Sequence, residues 1–209
     1  MKGRFITLEG IEGAGKSTIA QYIARWLSGE GVSVLLTREP GGTPLAERVR
    51  QIVLERNAEP LSAVTETLLM FAARGLHVEN VIVPALREGR WVVSDRFTDA
   101  TRAYQGGGRG VDHALIDTLA GAVHPQLAPD CTLLLDVAPA VGLARARARA
   151  ADTVDRFEAE TLEFFTRVRA RYHELARREP QRMHVIDASV PIAEVQRSVQ
   201  RILAGLIAT

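Results

Sequence analysis

Cysteine is almost missing from this sequence: 209 residues contain one, Cys131. A single thiol excludes a disulfide framework and a cysteine-rich metal centre. Its place in the apolar run Cys131-Thr132-Leu133-Leu134-Leu135 reads as a buried strand, hence inert packing rather than redox chemistry. Net charge is equally scarce, since 26 Lys+Arg against 25 Asp+Glu leave +1. No global field therefore selects nucleic acid or a membrane surface as partner. The opening residues lack the signal-peptide pattern, and no apolar run approaches the ~20 residues that cross a bilayer, so a cytoplasmic location is expected. Internal repeats and interior linkers are absent too. The length suits one domain over residues 1–209 with a sizeable core, and is short for two. Arginine, by contrast, greatly outnumbers lysine and is clustered in segments. Either phosphate contacts, which suit the guanidinium fork, or GC-rich coding accounts for any one of them.

Short apolar, β-branched runs recur along the chain: Phe5 to Leu8, Val32 to Thr37, Trp91 to Ser94, Thr132 to Leu135 and Met183 to Ile186. Each is followed by a polar or glycine-rich turn and then by amphipathic sequence. Strands alternating with helices imply right-handed crossovers and a parallel sheet covered on both faces. Helical composition is strongest in Leu143 to Arg149, in Asp155 to Arg178 and after Pro191, where Val195, Val199, Ile202 and Leu206 recur at helical spacing. Ligands of such folds bind beyond the carboxyl ends of the strands, so the residues after each run are the candidates for chemistry.

The first run leads into Gly10-Ile11-Glu12-Gly13-Ala14-Gly15-Lys16-Ser17-Thr18, which matches the phosphate-loop pattern GxxxxGK[ST] between a strand and a helix. Its glycines let successive N–H groups turn toward one phosphate at the positive end of the new helix. Lys16 then reaches the β- and γ-phosphates of a nucleoside triphosphate, and the Ser17 hydroxyl can hold Mg²⁺. The third strand ends in Ser94-Asp95-Arg96. Asp95 either sits near the metal or caps the next turn. Arg96 either bridges two anionic phosphates or pairs with Asp95. The stretch Thr98 to Gly110, with Tyr104, Gln105, three consecutive glycines and further arginines, suits a mobile wall around a polar aromatic ligand. Thr37-Arg38-Glu39-Pro40-Gly41-Gly42-Thr43, followed by Arg48 and Arg50, is either an anion-binding bend or an ordinary β-to-α turn.

These segments together resemble the bacterial thymidylate kinases over essentially the whole chain. The resemblance rests on Glu9 to Thr18, Thr37 to Thr43, Leu69-Met70-Phe71-Ala72-Ala73-Arg74, Asp95-Arg96, Ala103 to Gly110, and Arg145-Ala146-Arg147-Ala148-Arg149 followed by Asp155-Arg156-Phe157-Glu158. It implies a three-layer P-loop α/β fold with a five-stranded parallel sheet flanked by helices, and a small lid around residues 145–157. It also implies transfer of the ATP γ-phosphoryl group to dTMP with Mg²⁺, in a homodimer.

By the same resemblance Lys16 clamps the ATP phosphates within the Gly10–Thr18 loop, and Arg96 touches phosphate between donor and acceptor with Asp95 near the metal. Arg50 holds the dTMP phosphate, and Glu12 accepts from the sugar 3′-hydroxyl. Arg74 reads thymine, Thr101 and Gln105 approach the base from the other side, and Tyr104 lies against the deoxyribose. The aromatic position that covers thymine in relatives is Met70 here; Phe71, on roughly the same helical face, is expected to take over. Relatives with glycine at position 13 draw catalytic charge from the lid, which points to Arg149, with Arg145 against adenine. Residues 150–154 form a slightly longer stretch than in relatives, leaving the register of Arg156 open.

Two other readings compete: a kinase for another nucleoside monophosphate, and a P-loop switch that binds partners. Against the switch, the chain lacks an Asn-Lys-x-Asp guanine-reading motif, and its acceptor-side residues from Arg50 to Gln105 would serve no purpose.

Overall fold

The computed structural model describes residues 3–55, 59–149, 156–157 and 160–208, with the side chain of Arg149 outside that set. Five parallel strands form one sheet in the order β2-β3-β1-β4-β5: β1 (Phe5–Glu9), β2 (Val34–Arg38), β3 (Trp91–Asp95), β4 (Cys131–Asp136) and β5 (Met183–Asp187). All five expected runs form strands. β2 starts later than expected because the Val32 N–H closes the end of the preceding helix by donating to the Leu27 carbonyl at 3.0 Å. β1 is central and buried at every residue, which its apolar sequence allows because helices cover both sheet faces.

The helices are α1 (Lys16–Gly29), α2 (Pro44–Leu54), α3 (Ala63–His77), α4 (Val83–Arg87), α5 (Thr98–Thr101), α6 (His113–Val123), α7 (Pro139–Arg149), α8 (Leu162–Arg178) and α9 (Ile192–Ile207). A π-helical turn, Val78–Ile82, joins α3 to α4 into one 25-residue run. That run is long and apolar enough by composition to cross a bilayer, contrary to the reading of the sequence. Yet Glu66 and Arg74 on it are buried in ion pairs with other elements, as suits a core helix.

α8 begins at Leu162 rather than 155. Thr161 caps it, its Oγ1 accepting the Phe164 N–H at 3.2 Å. Asp155 and Glu158, expected in that helix, lie outside the described residues. Gly106, Gly107 and Gly108, expected in a mobile wall, instead belong to a π-helical segment, Arg102–Gly108, packed on α8. A Cβ on Gly108 would stand 2.4 Å from Phe164 Cε2, and one on Gly107 would stand 2.7 Å from Arg171 Cβ. These glycines permit close helix contact. Cys131 is fully buried, and burial pushes its thiol up to about 12, as inert packing requires.

Candidate active site

At the carboxyl ends of β1, β2 and β3 a cleft of ≈ 300 Å³ opens, lined by phosphate-loop, α2, α3 and π-segment residues. The loop from Gly10 to Thr18 runs from β1 into α1, with Gly10, Gly13 and Gly15 all at positive φ. In this state Lys16 Nζ donates to the Gly10 and Ile11 carbonyls at 3.0 and 2.9 Å. Burial, and then the nearby Arg96 guanidinium, lower the Lys16 amine from 10.5 to about 8. The buried charge therefore destabilises the fold below about pH 8, and that cost is relieved as pH rises from 8 toward the unfolded value of 10.5. A phosphate set beside Lys16 restores the charged form. Nucleotide binding at about pH 8 is thus expected to take up a substantial fraction of a proton per site, vanishing near pH 6. Calorimetry in buffers of different ionisation enthalpy measures this, and equal uptake at both pH values would contradict it.

Ser17 Oγ donates to Asp95 Oδ2 at 3.2 Å, across the gap between α1 and the tip of β3. Arg96, the next residue, donates through Nη2 to Glu12 Oε1 at 2.7 Å and to the Tyr104 hydroxyl at 3.0 Å; Tyr104 in turn donates to Glu12 Oε2 at 2.6 Å. Its guanidinium carbon lies 4.6 Å from the centre of the Tyr104 ring. On the far wall Arg74 donates through Nε to Glu39 Oε2 at 2.7 Å and through Nη2 to Phe97 O and Thr101 Oγ1 at 3.2 and 3.1 Å. Gln105 Nε2 donates to Glu66 Oε1 at 2.7 Å, and Arg50 Nη1 to the Pro40 carbonyl at 2.9 Å.

Asp95 Oδ1, Arg74 Nη1 and Arg96 Nη1 are each buried without a hydrogen-bond partner among the described residues, and all three side chains line the cleft. Trp91 Nε1, Arg109 Nη2 and Arg171 Nε are buried and unpartnered as well, so what sets the first three apart is that their side chains share the cleft wall. The geometry is that of a cleft with phosphate-binding groups at one end and an arginine-walled polar pocket at the other.

A family model for thymidylate kinase matches residues 8–199. The chain belongs to the thymidylate kinase family. It is 54% identical over 207 residues to the thymidylate kinase of Pseudomonas syringae pv. syringae (strain B728a), covering 99% of this chain and 98% of that one. It is 49% identical over 207 residues to that of Teredinibacter turnerae, covering 99% and 100%. The crystal structure of thymidylate kinase from Ehrlichia chaffeensis superposes with a TM-score of 0.80 at 37% identity, over 98% of this chain and 99% of that one. This thymidylate kinase fold is the expected P-loop α/β fold, and the enzyme transfers phosphoryl from ATP to dTMP, giving dTDP.

Gly10, Ile11, Ala14 and Thr18 of the phosphate loop are not among the residues that line this cleft; of the others singled out in the sequence, Glu12, Gly13, Gly15, Lys16, Ser17, Arg50, Arg74, Asp95, Arg96, Thr101, Tyr104 and Gln105 all line it. Phe71 does not. It is 2% exposed and packs with Val111, Ile116 and Ala120, while Met70 takes the place on the wall. One residue along a helix turns the side chain by about 100°, enough to send Phe71 into the core. It supports the cleft from behind, its ring centre 4.7 Å from the Arg74 guanidinium carbon. Arg145 Nη1 donates to the Ala188 carbonyl at 2.7 Å, tying α7 to the loop after β5, and does not line this cleft. Arg149 ends α7, and the stretch 150–155 of the expected lid lies outside the described residues.

Reading the sequence missed Glu39 and Glu66. Glu39 holds Arg74 Nε on one oxygen and His77 Nδ1, at 3.0 Å, on the other. Glu66 gathers Gln105, Arg109 and Arg156. The available signal for Glu39 was its place inside the Thr37–Thr43 motif, and for Glu66 its position three residues before Leu69–Arg74.

Proposed function

We propose that the cleft holds dTMP against Arg74, Thr101 and Gln105, with its phosphate at Arg50 and Arg96, opposite ATP on the Gly10–Thr18 loop. The observation that carries this is that Asp95, Arg74 and Arg96, each with one buried polar atom left without a hydrogen-bond partner among the described residues, all line one cavity. Arg74 reads the thymine edge with Nη1, because Glu39, Phe97 and Thr101 already fix its other nitrogens. Tyr104, held by Glu12 and Arg96, lies along the deoxyribose, and Glu12 turns to the sugar 3′-hydroxyl. Met70 covers the base.

The acceptor is already a phosphate oxyanion, so phosphoryl transfer requires no general base. An acceptor oxygen bonds to the γ-phosphorus while the bond to the β,γ-bridging oxygen breaks, and Lys16 and Arg96 offset the repulsion between the two anions. Ser17 and Asp95 present a hydroxyl and an unpartnered carboxylate oxygen, hard ligands that suit Mg²⁺. Bound there beside ATP, Mg²⁺ supplies further charge neutralisation on the phosphates.

Arg145 lies against adenine. Arg149 brings positive charge to the transferring group from a lid over 145–157 within the single domain. The protein acts on small molecules, without nucleic acid or membrane, in the cytoplasm. It works as a homodimer through α3, where Val64 and Leu68, one turn apart, are 46% and 47% exposed while Phe71 faces the core.

Coupled ADP release with Mg-ATP and a panel of dTMP, dUMP, UMP, CMP, AMP and GMP tests the site. dTMP is expected to be the best acceptor; turnover without any monophosphate would sink the two-substrate site. Arg149→Ala is expected to lower kcat about a hundredfold while ATP affinity changes less than about fivefold. Near-normal turnover would remove Arg149 from the mechanism. Met70→Ala is expected to raise the KM for dTMP about tenfold, and Phe71→Ala to show itself chiefly as lost thermal stability. Steady-state kinetics and thermal denaturation separate the two.

A further inference from the structure

Arg96 has a φ of 74°, the one non-glycine residue at positive φ among those described. Left-handed backbone costs a side-chain-bearing residue on the order of 1–2 kcal/mol, so surrounding bonds must impose it. Three bonds do. The Arg96 N–H donates to the Leu8 carbonyl at 2.9 Å, and Ser94 Oγ donates to the Arg96 carbonyl at 2.7 Å. The following amide, Phe97 N–H, donates to Glu9 Oε1 at 2.8 Å. The second Glu9 oxygen accepts from the Tyr172 hydroxyl on α8 at 2.7 Å.

Glu9 is fully buried at the end of the central strand and does not line the cleft. Burial and then the negative Asp99 raise its carboxyl to about 8, so this is an unfavourable place for a carboxylate. Phosphoryl transfer as described makes no direct use of it. Its value lies in the direction of its neighbour's side chain. Successive residues of an extended strand face opposite sides, so a β3 that continued through residue 96 would carry Arg96 away from the face of Asp95. The left-handed turn brings both into one cleft, with Arg96 against Glu12 and Tyr104.

We propose that Glu9 is a positioning residue for phosphoryl transfer, locking the peptide after Arg96 so that the guanidinium faces the phosphate loop beside Asp95. The proposal rests on the reading of Arg96 as a phosphate ligand. An uncharged acceptor suffices for the lock, since a carboxamide or a neutral carboxyl also accepts the Phe97 N–H.

The test is a set of kinetic double-mutant cycles on the full chain, with circular dichroism to verify folding. Glu9→Ala is expected to lower kcat by about 10- to 100-fold, with both KM values within about threefold of the parent. Glu9→Gln is expected to keep kcat within about threefold. In an Arg96→Ala background, Glu9→Ala is expected to cost less than about threefold more, because the group it positions is gone. Ser94→Ala removes another arm of the same lock with little disturbance of packing. It is expected to show the same pattern more weakly, which decides the matter if Glu9→Ala does not fold. Losses that add fully to Arg96→Ala overturn the proposal, as does a Glu9→Gln enzyme as impaired as Glu9→Ala. Near-normal activity of Arg96→Ala alone would instead overturn the phosphate reading beneath it.

Discussion

Arg96→Ala is expected to lower kcat by about two to three orders of magnitude, while the KM values for ATP and dTMP change less than about fivefold. The asymmetry follows from where the guanidinium stands. In this state it is already engaged by Glu12 and Tyr104, so exchanging those partners for phosphate gains little in the ground state. In the proposed placement of Arg96 between the two phosphates, charge gathers beside its guanidinium as the γ-phosphoryl moves, and a preformed donor there lowers the barrier. Arg96→Lys is expected to restore only part of the rate. A lysine keeps the charge but loses the fork and the stacking over the Tyr104 ring, 4.6 Å away. Steady-state kinetics on both variants measure this, and a lysine variant as active as the parent would show that charge alone suffices.

Gly13→Ala is expected to destabilise the enzyme by about 2–4 kcal/mol, a fall in Tm of about 5–15 °C for a domain of this size. It is also expected to raise the KM for ATP at least about tenfold. Two costs combine. Gly13 has a φ of 72°, and a Cβ there would stand 1.9 Å from the carbonyl oxygen of Gly142 in α7. That oxygen is backbone, so neither side yields without displacing the phosphate loop or the first turn of α7. Thermal denaturation and ATP titration read the outcome; a variant with parental Tm and ATP affinity would mean that the loop is not pressed against α7. The same contact leaves no room for an arginine at position 13. The proposed supply of positive charge from Arg149 is compatible with that exclusion.

The strands were legible because buried parallel strands appear as short apolar runs, and the phosphate loop because its glycines and lysine have fixed spacing. Strand ends were less so. Asp95 completes β3 although it is charged, since pairing with Leu8 and Arg38 sets that boundary rather than hydropathy. The glycines at 106–108 could not be read, because glycine serves both a free loop and a close helix contact. Only α8, about sixty residues later, decides between them. Met70 and Phe71 posed a similar difficulty: they are adjacent, apolar and both large, and the choice between core and cleft depends on how α3 rotates against α6. The positions of Arg74 and Gln105 were visible, but not the carboxylates that orient them. Glu39 lies 35 residues from Arg74 and Glu66 lies 39 from Gln105, separations over which sequence spacing carries no signal.

β1 occupies the middle of the sheet, flanked by β3 and β4 and buried at every position. The phosphate loop is its direct continuation, and its last residue, Glu9, holds the amide that follows Arg96. An edge strand can detach in a partial opening of the structure; a central one separates only when the whole sheet does. The amides of Ile6 to Leu8 are therefore expected to exchange with solvent as slowly as global unfolding permits. Heat or denaturant should extinguish phosphate binding and the fold in one transition, leaving no partly folded state in which a damaged kinase still captures ATP.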